Sequence, residues 1–174
     1  MTKKDIRKSM MLIRSKQTPE DKNLRDQHII KQIKVHEKFI SAKTVAIFYP
    51  MKSEIDLLQL LSSDKIFLFP KVNQDDLDFY IFDEYIEFEK SSFGVLEPTG
   101  DNIYKDKIDL MIVPALAISK EFDRVGYGKG FYDRYISNHD IEYTLGVIYD
   151  FQELNHIDAS PLDRKLDQYI KGSL

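Results

Sequence analysis

Residues 109–136 read DLMIVPALAISKEFDRVGYGKGFYDRYI, an apolar run that becomes a glycine cluster and then a segment of helical character. Leu110 to Val113 suits a buried strand, and Phe131 to Ile136 suits the start of a helix. Between them, Gly126, Gly128 and Gly130 alternate with Tyr127 and Lys129, so three of the chain's seven glycines fall within five residues. Glycine tolerates positive φ and close backbone approach, and successive amides in such a stretch can point into one concavity. A helix starting there adds the positive end of its dipole. The natural guest of this junction is a phosphate, with Lys129 as a cation at its rim and Arg124 and Arg134 flanking it. The spacing satisfies neither G-x-G-x-x-G nor G-x-x-x-x-G-K-[ST], so neither the dinucleotide fingerprint nor the Walker loop applies. Spacing alone also admits a plain tight turn with no ligand. Asp133 is open to two roles: complementing the helix dipole, or holding the magnesium that accompanies a nucleotide.

Outward from this junction, helical patterns alternate with short apolar strands. Residues 3–17 read as a helix, with Ile6, Met10 and Ile13 as its apolar stripe. Thr18-Pro19-Glu20-Asp21 reads as the start of a second helix, running to about Phe39 with Leu24, Ile29, Ile33 and His36 or Ile40 towards the core. Strands are expected at Val45–Tyr49, stopped by Pro50, at Ile66–Phe69, stopped by Pro70, and at Leu77–Phe82 after the polar turn Asn73–Asp76. Ser53 is expected to cap a helix carrying Leu57, Leu58, Leu60 and Leu61. Residues 83–107 read as loop with short strands, Thr144–Ile148 as a strand, and Gln168–Ile170 as a last short strand. This order predicts a three-layer α/β domain with a mostly parallel central sheet, spanning 1–174 as one domain. Ligands of such sheets sit beyond the carboxyl ends of the strands, where residues after Tyr49, Val113 and Ile148 are expected to converge.

The 174 residues are 43% hydrophobic and 31% charged, an ordinary balance for a globular chain. With no cysteine, thiolate nucleophiles, disulfides and cysteine-held metals are excluded. The apolar run Met10–Ile13 is too short for a signal peptide and no run reaches membrane-spanning length, which points to a cytoplasmic enzyme without a membrane partner. A net charge of −4 argues against a nucleic-acid partner, although Lys3, Lys4, Arg7, Lys8, Arg14 and Lys16 make the N-terminus basic. Lys4, Arg7, Met11 and Arg14 are spaced for one helix face, which on charge alone is a solvated basic face. The four histidines lack ligand spacing, and no G-x-S-x-G elbow exists.

Asp123-Arg124-Val125-Gly126-Tyr127-Gly128-Lys129-Gly130-Phe131-Tyr132-Asp133-Arg134, preceded by Val113-Pro114, resembles the signature of the 5-formyltetrahydrofolate cyclo-ligase (5,10-methenyltetrahydrofolate synthetase) family. That signature commonly reads R-[LV]-G-x-G-[KG]-G-[YF]-Y-D. The residue between its first two glycines is often Arg, so Tyr127 here removes one phosphate contact. The resemblance covers nearly the whole chain. It implies ATP as co-substrate, Mg2+ as cofactor, and conversion of 5-formyltetrahydrofolate to 5,10-methenyltetrahydrofolate with release of ADP and phosphate through an iminium phosphate.

By the same resemblance Lys129 and Arg124 are catalytic, and ATP is bound by Lys3, Lys4, Arg7 and the loop from Arg124 through Val125, Gly126, Tyr127, Gly128, Lys129, Gly130 and Phe131 to Tyr132. Tyr49 and Glu54 are assigned to the folate, together with Tyr127 to Phe131, while dipole complementation is the alternative for Glu54. Asp133 and Asp163 are the implied metal ligands, with Asp158 and Asp167 as substitutes in an acid-rich tail and an ion pair with Arg164 or Lys165 as the other reading of Asp163. Arg14 is a weaker candidate, and no obligate protein partner is implied. Two other readings stay open from the residues: a non-catalytic phosphate-ligand-binding or sensor domain, and a sugar-phosphate isomerase, which lacks a convincing acid–base pair.

Overall fold

The computed structural model describes residues 1–174. The chain opens with helices α1 (Lys3–Ser15), α2 (Pro19–Val35) and the short α3 (Glu37–Ser41). Strands β1 (Thr44–Ala46), β2 (Ile66–Asn73) and β3 (Asp76–Ile81) follow, then the hairpin β4 (Phe88–Lys90) and β5 (Leu96–Pro98), and the two-residue β6 (Ile103–Tyr104). The second half holds β7 (Leu110–Pro114), β8 (Ala117–Ser119), β9 (Arg124–Val125), helix α4 (Phe131–Asn138), β10 (Thr144–Tyr149), β11 (Glu153–Leu154) and β12 (Gln168–Gly172).

Seven strands form the central sheet in the order β12-β10-β7-β1-β2-β3-β6. The five from β12 to β2 are parallel, and β3 and β6 add antiparallel at one edge. The continuously apolar strands of the sequence are the ones covered on both sides. Val45, Phe67, Leu110, Ile112, Leu145 and Val147 point to one face, under α2 and α3. Ala46, Leu68, Met111, Val113 and Ile148 point to the other, where Tyr135 of α4 packs. A third cluster joins Ile6 and Met10 of α1 to Ala117, Val125 and Ile157.

The N-terminal helices are capped as their sequences indicate. Thr2 accepts from the Asp5 amide at 3.2 Å, and Thr18 accepts from the Asp21 amide at 3.1 Å. The second helix ends at Val35 instead of near Phe39, because His36 turns extended and its Nδ1 accepts from the Lys38 amide at 3.1 Å, starting α3. Leu24 and Ile40 are exposed while Ile29, Ile30 and Ile33 are buried. Leu24 lies about 140° round the helix from Ile29, off the packed face. On α1 the expected Ile13 is 43% exposed, and the inward place is taken by Arg14 at 5%.

Two expectations fail near prolines and glutamates. The helix expected after Ser53 is only a 3-10 turn at Leu58–Ser62, with Asp56 accepting from the Leu58 amide at 2.9 Å. Ile55 and Leu57 are both buried, an alternation that an extended chain satisfies and a helix does not. Strand β2 also runs through Pro70, paired with Phe79. Leu68 and Val72, of the same parity as Pro70, face away from β3: the Leu68 carbonyl accepts from Ile47 and the Val72 amide donates to Glu97. Pro70 therefore leaves the β3 pairing intact, but it has no N–H to give the Ile47 carbonyl, the next acceptor on that side, so the β1–β2 ladder stops there.

Candidate active site

From β1 the chain reaches β2 on one side, and from β7 it reaches β10 and β12 on the other, so strand order reverses between β1 and β7. Beyond the carboxyl ends of these strands lies a cavity of about 1040 Å³. Such a switch point is where open α/β sheets hold ligands. Its walls are Phe48, Tyr49, Met51 and Glu54 after β1, Pro114 after β7, the glycine loop with the start of α4, Lys3, Arg7 and Met11 of α1, the β4–β5 hairpin through Phe93 and Glu97, and Ser160 to Arg164. The residues directly after Ile148 line no part of it, contrary to expectation, and the chain beyond β10 enters only with Ser160 to Arg164. Asp150 beyond β10 instead pairs with Arg25 at 3.3 Å. A second hollow, of about 450 Å³ under the β2–β3 turn, contains none of the glycine loop.

The loop has the left-handed backbone that its glycines permit, at Gly128 (φ +97°) and Gly130 (φ +69°), whereas Gly126 is conventional. Gly130 starts α4 with no side-chain cap, so the first amides of that helix remain available to an anion. Arg7 lies across the loop: its Nε donates to the Gly126 carbonyl at 2.8 Å, and a Cβ on Gly128 would stand 3.2 Å from its Cζ. Lys129 is exposed at the rim, its Nζ 5.9 Å from the Phe93 ring.

Arg124 also lines the cavity. It is 8% exposed beneath the loop, donating to the Pro114 carbonyl at 2.9 Å and standing 3.4 Å from Asp133 Oδ2. Its Nε is buried without a partner. Burial draws this guanidinium below its ordinary value, and the Asp133 carboxylate opposes the shift. Val125 points into the α1 cluster, so only its backbone belongs to the loop. Lys4 is exposed and lines no part of the cavity. The face α1 turns inward runs through Lys3, Arg7 and Met11, each four residues from the last, and Lys4 is one residue off that line.

On the opposite wall, Tyr49 is half-buried with its ring 4.9 Å from Phe88. Glu54, 5% exposed, accepts from the Met51 amide at 2.8 Å and from the Tyr127 hydroxyl at 2.6 Å. Arg14 in turn donates to the Tyr127 hydroxyl at 2.7 Å and to Ser53 Oγ at 3.2 Å. The Tyr127 hydroxyl is held well above its ordinary value by burial and by Glu54, against the pull of Arg14. Tyr132 is raised likewise by burial and Glu54, with Arg124 opposing.

Asp133 and Asp163 line the same cavity. Asp133 Oδ1 accepts from the Arg164 amide at 3.0 Å, which brings it beside the segment bearing Asp163. Asp163 is ion-paired with Lys3 and accepts from the Ser160 amide at 2.6 Å. Burial pushes its carboxyl up, but Lys3 and Ser160 outweigh that and leave it lowered. The ion-pair partner is thus Lys3, not Arg164 or Lys165. Asp158 pairs with His156 at 3.2 Å, and Asp167 binds the Thr144 amide at 2.8 Å, so neither substitutes for Asp163. No group of three or more His, Asp or Glu side chains is arranged to hold a metal ion. Two carboxylates fit a hard cation that takes its remaining oxygens from phosphates and water.

The sequence carries no signal for Phe93 and Leu162, which sit in turns, or for Glu97, whose strand β5 is only three residues long and too short to show a period.

The 5-formyltetrahydrofolate cyclo-ligase family model matches residues 1–171. A relative so named from Mycoplasma genitalium is 29% identical over 97% of this chain and 96% of its own length. One from Mycolicibacterium smegmatis is 31% identical over 71% of each. Among solved structures, the Aquifex aeolicus 5,10-methenyltetrahydrofolate synthetase superposes with a TM-score of 0.86 at 27% identity, covering 98% of this chain and 90% of that one. The Mycoplasma pneumoniae 5,10-methenyltetrahydrofolate synthetase gives a TM-score of 0.77 at 25% identity over 98% of both. With a family model spanning the chain almost end to end and relatives matched along most of their length, this chain belongs to the 5-formyltetrahydrofolate cyclo-ligase family.

Proposed function

We propose that the chain, acting as one catalytic domain over residues 1–174, converts 5-formyltetrahydrofolate to 5,10-methenyltetrahydrofolate with conversion of ATP to ADP and phosphate, the formyl oxygen passing into the phosphate. The carrying observation is a single cavity that has an anion-binding loop and three inward residues of α1 on one side and a buried carboxylate with aromatic neighbours on the other. The formyl oxygen attacks the γ-phosphorus as ADP departs, giving an iminium phosphate. Nitrogen 10 then attacks the former formyl carbon, its proton is lost, the carbon–oxygen bond breaks and phosphate leaves. No protein nucleophile is needed, and alignment with charge screening carries the rate.

In this reading the amides of residues 126–130 and the open end of α4 seat the phosphates. Lys129 neutralises charge on the transferring group, and Arg7 and Lys3 hold the nucleotide from α1. Arg124 acts from beneath, fixing Asp133 and the loop. Glu54 accepts from pterin nitrogens, and Tyr49 flanks the ring. Asp133 and Asp163 would hold Mg2+, with Asp163 giving up Lys3 to do so. A cation held by these two carboxylates would supply screening of the phosphate charge.

The deciding experiment incubates the protein with 5-formyltetrahydrofolate, ATP and magnesium and follows the methenyl chromophore. ATP-dependent appearance of that absorbance is expected; binding of both ligands without product would favour the non-catalytic reading. Nothing in the cavity favours an isomerase, since Glu54 and the two aspartates each already bind a fixed donor.

A further inference from the structure

Tyr127 stands where the family signature often has Arg, and the structure shows where its side chain goes. It does not extend over the loop's concavity. Its hydroxyl lies between Arg14 at 2.7 Å and Glu54 at 2.6 Å, joining three elements distant in sequence: α1, the turn after β1, and the glycine loop. The direction of the two bonds follows from the donors available. A guanidinium can only donate, so it takes a lone pair of the hydroxyl, and the single phenolic proton is left for the Glu54 carboxylate. Both Glu54 oxygens are then committed, one to Tyr127 and the other to the Met51 amide. Glu54 is 5% exposed and Arg14 is 5% exposed, so the hydroxyl links two buried charges of opposite sign.

The same helix grips the loop twice. Arg7 holds the Gly126 carbonyl at 2.8 Å, and Arg14, seven residues on, holds the Tyr127 hydroxyl. A ligand seated on the amides of residues 126–130 therefore bears on the residue that orients Glu54, on the far wall of the cavity. We propose that Arg14, Tyr127 and Glu54 form a coupling relay, through which nucleotide bound at the glycine loop positions Glu54 for the second substrate. Tyr127 and Arg14 are positioning residues here. This inference rests on the folate reading above. Coupling of this kind is reciprocal, so each ligand tightens the other by the same factor.

The test measures the Kd of 5-formyltetrahydrofolate with and without saturating magnesium and the β,γ-imido analogue of ATP, in the parent, Tyr127→Phe and Arg14→Met. The parent ratio is expected to exceed about fivefold, the lower end of ordinary allosteric coupling. Tyr127→Phe, which keeps the ring, should bring the ratio to within about twofold of unity, and Arg14→Met should follow it. A purely structural role would weaken both Kd values together and leave the ratio as it was. A parent ratio near one, or a Tyr127→Phe ratio equal to the parent's, overturns the relay. Should Arg14→Met not fold, Tyr127→Phe decides alone. A parent that turns over to methenyl product but shows no coupling defeats only this inference, whereas one that neither binds the folate nor makes product defeats the proposed function and the relay with it.

Discussion

Lys129 is exposed at the tip of a loop, with its charge near only the face of Phe93. Such a side chain contributes little to folding, so Lys129→Ala should separate chemistry from stability. Turnover is expected to fall by about 10²-fold, the scale for removing one group aimed at developing charge, with the melting temperature held. Initial rates beside a thermal melt check this, and unchanged turnover in the folded variant removes Lys129 from the mechanism. Asp133 is more entangled, since it faces Arg124 and accepts from the Arg164 amide. Asp133→Asn keeps an oxygen for that amide while removing the charge. The magnesium concentration for half-maximal rate is expected to rise about tenfold, equivalent to roughly 1.4 kcal/mol. A metal titration matching the parent's would leave Asp133 as a partner of Arg124 and the helix dipole alone. These two residues were legible from the signature. Arg14 was only a weaker candidate, because a buried arginine on a basic helix looks the same in sequence as a solvated one.

At the scale of elements, α2 is joined to the sheet by a buried polar contact as well as by its isoleucines. The Tyr149 hydroxyl at the end of β10 donates to Asp26 of α2 at 2.7 Å, and Lys22 pairs with the same carboxylate at 2.7 Å. Tyr149→Phe leaves the packing intact and takes one donor from a carboxylate that is 4% exposed. A loss of about 1–2 kcal/mol in unfolding free energy is expected from urea denaturation, with turnover unaffected because neither residue lines the cavity. An unchanged midpoint would mean that Lys22 alone satisfies Asp26. Strands were read best where they are apolar on both faces, as at Leu110–Pro114 and Thr144–Tyr149. The segment after β1 was misread because the leucines at 57, 58, 60 and 61 have helical spacing, yet Glu54 folds back on the Met51 amide in a turn and the chain coils only into the 3-10 turn at Leu58–Ser62.

For the whole molecule, two carboxylates tie separate parts of the chain together, and both titrate below the ordinary aspartate value of 3.8. Burial pushes Asp109 up, but the Thr44 and Lys43 amides that it holds at 3.1 and 2.8 Å outweigh burial, joining β7 to β1. Asp163, lowered chiefly by Lys3, joins the C-terminal segment to α1. A folded-state pKa below the unfolded one means the unfolded chain binds more protons between the two, so stability rises with pH across that interval. The contribution is complete above the unfolded value and is lost as pH falls through the folded one. The urea midpoint is therefore expected to hold from pH 7 to about 5 and to drop below about 4, with a shallower acid limb in Asp109→Asn. An equal acid slope in that variant would assign the effect to other carboxylates.

The sequence by itself determined the α/β class, the glycine loop with its backbone suited to an anion, and the candidate carboxylates, because backbone permissiveness, residue chemistry and local periodicity are properties of short stretches. Only the tertiary structure decided that α1 turns Lys3 and Arg7 into the cavity and leaves Lys4 outside, that Arg124 lies under the loop, and that Tyr127 reaches Glu54. The α1 and Tyr127 outcomes depend on elements that meet across seventy or more residues, and that of Arg124 on how β7, β9 and α4 fold against one another; spacing along a single element carries no record of its partner.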